Sequence, residues 1–212
     1  MKNKWFINLF VGYIKITGII PLLIFFRPKI HKTHKKNSKL PKCCILVSNH
    51  KSLLDFPLYL TVFPFRTIRF LMAEVLYNKS GLFAWFLNSL GGIRVDRDDK
   101  NFSFVSDSIE ILDNKGSLGI FPEGRLPVDG KPWPFTVSTA FIATHADAPI
   151  MPIYNDGNYG IFKRVNVVIG EPFFLTDFSK EGLNDEQQLE HLTSVLEEKV
   201  YDLKSFLEKG KE

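Results

Sequence analysis

Residues 43–56 read CCILVSNHKSLLDF: an unbroken apolar run over 43–47, a polar corner over 48–51 and a helical start from Ser52. A short apolar run of this kind is a strand buried on both faces, and a strand feeding a helix through a few polar residues is half of a βα unit. His50 follows the strand directly, and Asp55 lies five residues on, in the first turns of the helix. Their side chains can therefore meet locally. A neutral imidazole is a base near neutral pH, and a carboxylate on its other nitrogen fixes the tautomer and stabilises the imidazolium. No Ser, Cys or Thr nucleophile is required if the substrate brings its own hydroxyl. A histidine that merely caps the helix is the plainer alternative.

Outward from this unit the alternation continues. Strands are expected at TIRFLMA (67–73), GIRV (92–95), LGIF (118–121), APIMPIY (148–154) and VNVVIG (165–170). Helices are expected over 52–63, through GLFAWFLNSL (81–90), along the face Phe102, Val105, Ile109 and Leu112, and through TVSTAFIATHA (136–146). Leu189, Leu192, Leu196, Leu203 and Leu207 line one side of a last amphipathic helix, and Asn184 with Gln187 has capping-box spacing at its start. The fold class is α/β: one domain with a central mixed sheet flanked by helices.

The chain has 212 residues, 45% apolar and 24% charged, which supplies one sizeable core and excludes a disordered or coiled-coil protein. Its net charge of +4 is unevenly placed. Residues 1–42 hold ten Lys or Arg and no acid, leaving 17 basic and 23 acidic residues for 43–212. Residues 5–26 are long enough to cross a bilayer, yet Lys15 sits at their middle and Pro21 interrupts the second half. Asn8, Gly12 and Lys15 share one narrow helical stripe, which favours a helix lying in the membrane interface. The cations from Arg27 to Lys42 then add attraction to anionic lipid and mark the cytoplasmic side. Residues 1–42 accordingly read as a membrane-associating segment and 43–212 as the main domain, a core helix with a solvated basic linker being the alternative for the former. A nucleic-acid partner is not expected, because the basic stretch borders a continuous apolar segment without interleaved stacking aromatics. Cys43 and Cys44 are adjacent in a strand, point to opposite faces and read as reduced thiols. No Cys and His set has metal-ligand spacing, so no metal is expected.

Two further motifs carry chemistry. GGIRVDR places Arg94 and Arg97 at a strand end, and GIFPEGR places Glu123, Gly124 and Arg125 directly after another strand. Loops beyond the carboxyl ends of strands are where open α/β sheets bind ligands, and guanidinium groups beside a glycine suit a phosphate. The same arginines could instead form surface pairs with Asp96, Asp98 or Asp99.

Taken together, NHKSLLD, GGIRVDR, FPEGR and APIMPIY, in this order over residues 49–154, resemble the four blocks of the glycerolipid acyltransferases typified by 1-acylglycerol-3-phosphate acyltransferase. The resemblance implies a glycerol-3-phosphate acyltransferase-like fold and an enzyme of phospholipid biosynthesis on the cytoplasmic face of the cell membrane. It implies His50 as general base with Asp55 as its partner. Arg97, Glu123, Gly124 and Arg125 would bind the acceptor's polar head, and Pro152 would shape the acyl-donor site. The donor would be an acyl thioester on coenzyme A or acyl carrier protein, used as co-substrate without any resident cofactor. The acceptor would be 1-acylglycerol-3-phosphate, giving phosphatidate.

The sequence departs from the commonest pattern in two places. Arg125 follows Gly124 directly where a Thr usually intervenes, and PFTVSTA lacks the Lys and Gly often found downstream. Another lysophospholipid or lipid acceptor therefore stays open. A non-catalytic membrane-binding module is the competing class, and it leaves His50, Asp55 and the PEGR loop unexplained.

Overall fold

The computed structural model of the chain describes residues 17–18, 20–33, 41–96, 102–160 and 163–209. Asn8, Gly12, Lys15 and Arg97 lie outside the described residues. Seven strands form one sheet: β1 (Lys29–Lys32), β2 (Cys44–Ser48), β3 (Ile68–Ala73), β4 (Gly92–Val95), β5 (Ser117–Ile120), β6 (Ile150–Asn155) and β7 (Asn166–Ile169). Their spatial order is β1-β7-β6-β2-β5-β3-β4. Every neighbouring pair is parallel except β6 and β7, so the sheet is mixed, as the sequence predicts.

The helices are α1 (Asp55–Val62), α2 (Glu74–Tyr77), α3 (Gly81–Ser89), α4 (Ser103–Asp113), α5 (Val137–His145) and α6 (Asp185–Lys209), with a 3-10 turn over Leu175–Phe178. Residues 20–26 are also helical. The central strand β2 is buried at every position, and its side chains alternate between two cores. Leu46 joins Phe26, Leu58, Tyr59 and Phe70 on one face, while Ile45 and Val47 join Leu118, Ile142 and Leu196 on the other. Cys44 belongs to the first core and Cys43 packs against the second, so the adjacent thiols do face opposite ways. Burial in that core pushes the Cys44 thiol up to about 12. Gly119 of β5 is required by this packing, since a Cβ there would lie 2.3 Å from the Phe70 ring.

Element boundaries follow the expected pattern with three differences. The capping box forms as read: Asn184 N–H donates to Gln187 Oε1 at 3.2 Å, and Gln187 N–H donates to Asn184 Oδ1 at 2.9 Å. On α4, however, Phe104, Val105, Ile111 and Leu112 meet the core, whereas Phe102 precedes the helix with φ of 48° and is exposed. The helix at 52–63 begins only at Asp55, because the Asp55 carboxylate accepts the N–H groups of Lys51 and Ser52. Finally, the sheet crosses the boundary expected at residue 42. Lys29–Lys32 pair with β7, and Phe26 is 1% exposed within the first core.

Candidate functional site

Strands β2, β5 and β6 lie side by side and end at the same edge of the sheet. Two residues past β2, His50 Nδ1 stands 2.7 Å from Asp55 Oδ2. Asp55 is fully buried at the start of α1, where Oδ2 also accepts the N–H groups of Lys51 at 2.6 Å and Ser52 at 2.9 Å. Its Oδ1 accepts the hydroxyl of Tyr159. Four donors fill the acceptor capacity of one carboxylate and hold it rigidly. With Nδ1 turned to Asp55, Nε2 is the nitrogen of His50 left for a substrate. The His50 ring stacks on Phe121, just past β5, with centroids 4.3 Å apart and planes 13° apart.

Behind His50 sits Glu123, 2% exposed. Its Oε1 accepts the backbone N–H of His50 at 2.9 Å and the hydroxyl of Tyr201 from α6 at 3.3 Å. Burial pushes its carboxyl above the ordinary value, against the pull of these donors in the other direction. The end of β6 is locked to that of β2 by two mutual bonds: Asn155 N–H donates to Asn49 Oδ1, and Asn49 Nδ2 donates to Asn155 O, each at 2.9 Å. Asn155 Nδ2 also donates to Tyr59 at 3.1 Å. Burial, with the Asp55 charge beside it, raises the Tyr159 hydroxyl far above its ordinary value, so it stays protonated as a donor.

In front of His50 opens a largely apolar cavity of about 630 Å³, lined by Leu53, Phe56, Phe83, Phe86 and Phe121 among others. Gly124 and Arg125 form part of its wall. Gly124 has φ of 65°, a left-handed value that glycine adopts without strain, and its N–H closes a tight turn onto Phe121 O at 2.9 Å. The turn presents the exposed Arg125, whose guanidinium lies 4.5 Å over the Trp133 ring. An imidazole base, its carboxylate, an apolar chamber and an exposed cation at the rim can together activate a hydroxyl on an amphiphile that carries an anion.

The Acyltransferase family model matches residues 29–155 of this sequence. The chain belongs to the acyltransferase family. It is 24% identical to a 1-acyl-sn-glycerol-3-phosphate acyltransferase of Bacillus subtilis over 198 residues, 89% of this chain and 95% of that one. It is 31% identical to the human 1-acyl-sn-glycerol-3-phosphate acyltransferase alpha over 113 residues, 51% of this chain and 39% of the longer human one. Among solved structures it resembles the 1-acyl-sn-glycerophosphate acyltransferase of Thermotoga maritima, with a TM-score of 0.64 and 25% identity, covering 93% of this chain and 79% of that one.

Within the acyltransferase site, the residues read from sequence separate into groups. His50, Gly124 and Arg125 line the cavity, and Asp55 supports His50 from beneath. Glu123, expected at the acceptor's head group, is buried, and its Oε1 holds the His50 backbone from the protein side. Pro152 is buried within β6, opposite Val47, and is not part of the cavity wall. Arg94 pairs with Glu74. Tyr159, Tyr201 and Asn155 were not singled out by the sequence. The only signal for the first was NDGNYG, a polar, glycine-rich turn leaving a strand end. Among the described residues, no group of three His, Cys, Asp or Glu could hold a metal ion.

Proposed function

We propose that this chain transfers a fatty acyl group from an acyl thioester, on coenzyme A or acyl carrier protein, to the hydroxyl of 1-acylglycerol-3-phosphate, giving phosphatidate. The observation that carries the reading is the His50–Asp55 pair on an apolar cavity with Arg125 at its rim. The alignment over 95% of the Bacillus subtilis acyltransferase supports the acceptor.

His50 Nε2 takes the acceptor's hydroxyl proton as the oxygen attacks the thioester carbonyl carbon. Asp55, already fixed by four donors, stabilises the imidazolium without moving. The tetrahedral intermediate then expels the thiolate, the C–S bond breaks, and the imidazolium proton passes to sulfur. The donor is a co-substrate, and no resident cofactor takes part. Arg125 receives the acceptor's phosphate, and the apolar cavity receives acyl chain.

No helix among the described residues is long and apolar enough to cross a membrane. The proposed location is peripheral, with residues 1–42 attracted to anionic lipid on the cytoplasmic leaflet. The exposed rim at Gly124 and Arg125 also favours a second acceptor class, lysophospholipids with larger head groups. Turnover of a radiolabelled acyl thioester against a panel of lysophospholipids tests both. Transfer to none of them would remove the proposal.

A further inference from the structure

The chain between β5 and α5 leaves the sheet and returns as a hairpin. At its foot Thr136 N–H donates to Pro122 O at 2.9 Å, and the buried Phe135 anchors the returning arm in the second core. At its tip Val128 and Lys131 pair across Asp129 and Gly130, whose φ angles of 52° and 74° are both left-handed. Asp-Gly with two such angles is the turn that matches the twist of a two-residue hairpin. The excursion is therefore closed at both ends. Its returning arm carries Trp133, whose indole N–H donates to Leu126 O on the outgoing arm at 3.1 Å. That bond fixes the ring, and the Arg125 guanidinium lies 4.5 Å over it. The backbone N–H of Trp133 also pulls on the Glu123 carboxyl, the group that holds the His50 N–H.

Arg125 is part of the cavity wall and Trp133 is not, so the ring supports the guanidinium from outside the cavity. A guanidinium laid on a ring keeps its N–H groups, which lie in its own plane, free to point sideways at an anion. The contact also removes rotamer freedom in advance, so less is lost when a phosphate binds. Sequence gives this support its importance. No Thr separates Gly124 from Arg125, PFTVSTA holds no Lys, and the other cation of the hairpin, Lys131, shares the turn with Asp129. We propose that Trp133 is a positioning residue, which by stacking holds the Arg125 guanidinium in the orientation that receives the acceptor's phosphate. The inference rests on the acyl-transfer reading and adds to it a determinant of acceptor affinity that lies outside the cavity.

Trp133 reports on its own stack. In the full chain with Trp5→Phe and Trp85→Phe it is the sole tryptophan. Titration with a water-soluble, short-chain 1-acylglycerol-3-phosphate should then change its emission to saturation, because the phosphate neutralises the cation lying on the ring. The matching monoacylglycerol, which lacks the phosphate, should leave the emission unchanged, and adding Arg125→Gln should abolish the response. Emission that responds to neither compound, or equally to both, overturns the proposal. In steady-state kinetics, Trp133→Leu should raise KM for the phosphate-bearing acceptor by about fivefold or more, with kcat and the KM of the acyl thioester close to wild type. Trp133→Phe keeps a ring under the guanidinium and should recover part of that loss. An unchanged acceptor KM in the Leu variant overturns the proposal. So do equal losses in the Leu and Phe variants, or losses spread over kcat, both KM values and the melting temperature, since these mark a merely structural role. Absence of turnover in the wild-type chain would instead remove the acyl-transfer reading, and the emission titration would still decide the role of Trp133.

Discussion

Tyr159 donates its hydroxyl to Asp55 Oδ1, the carboxylate oxygen that His50 does not use. The two residues are far apart in sequence, so the catalytic pair proposed here is closed by a side chain that arrives from beyond β6. Hydrogen bonds to a charged group contribute about 1.5–3 kcal/mol. Tyr159→Phe should therefore lower the melting temperature and reduce kcat by about tenfold or more, since Asp55 gains freedom to leave the imidazole. KM for both substrates should hardly change. A raised KM with unchanged kcat would place Tyr159 in substrate binding instead.

His50→Ala should reduce turnover by about 10²–10⁴-fold while leaving the fold intact, because the side chain stands at a strand end and its removal leaves the Asp55 backbone donors in place. Asp55→Asn should be nearly as damaging. An amide offers one acceptor oxygen where four donors now converge, so the tautomer of His50 is no longer fixed. Steady-state kinetics beside a circular dichroism spectrum separates lost chemistry from lost structure.

Arg125→Lys keeps the charge and loses both the planar fork and the stacking on Trp133. Apparent affinity for the acceptor should fall while affinity for the acyl thioester stays close to wild type. Equal losses for both substrates would give Arg125 a role in shaping the turn rather than in holding phosphate.

Glu123 makes a prediction about stability and pH. Its carboxyl binds a proton more tightly in the folded chain than at the ordinary value of 4.5, burial being the main cause. The favourable contribution is therefore complete below the ordinary value and is lost as pH rises through the raised one. Glu123→Gln keeps an acceptor for the His50 N–H and carries no charge. It should melt above wild type at neutral pH, and the two melting curves should converge on acidification. A difference independent of pH would show that desolvation of this carboxylate is not the cause.

Legibility from sequence followed sequence distance. His50 and Asp55 sit five residues apart on one βα corner, so the backbone alone brings them together. The strands and the α6 cap were likewise local patterns. Tyr159, Asn155 and Tyr201 reach the site only through the sheet order β6-β2-β5 and the packing of α6, which no short window contains. Glu123 was found as a residue but not in its orientation, since the turn at Gly124 sends neighbouring side chains to opposite sides. β1 was hidden by composition: KIHK at a sheet edge keeps its side chains largely in solvent, so it reads as part of the cationic stretch.

That edge strand limits how the protein can be shortened. A chain beginning at residue 43, where the charge pattern invites a cut, would lose the partner of β7 and leave the N–H and C=O groups of Asn166–Ile169 open along one side. It would also empty the space filled by Phe26 against Tyr159, whose rings meet edge to face at 5.7 Å. An unpaired strand edge recruits other strands, so removing the apolar end in pursuit of solubility would invite self-association. A shortened chain that keeps the sheet edge closed requires a start upstream of Phe26.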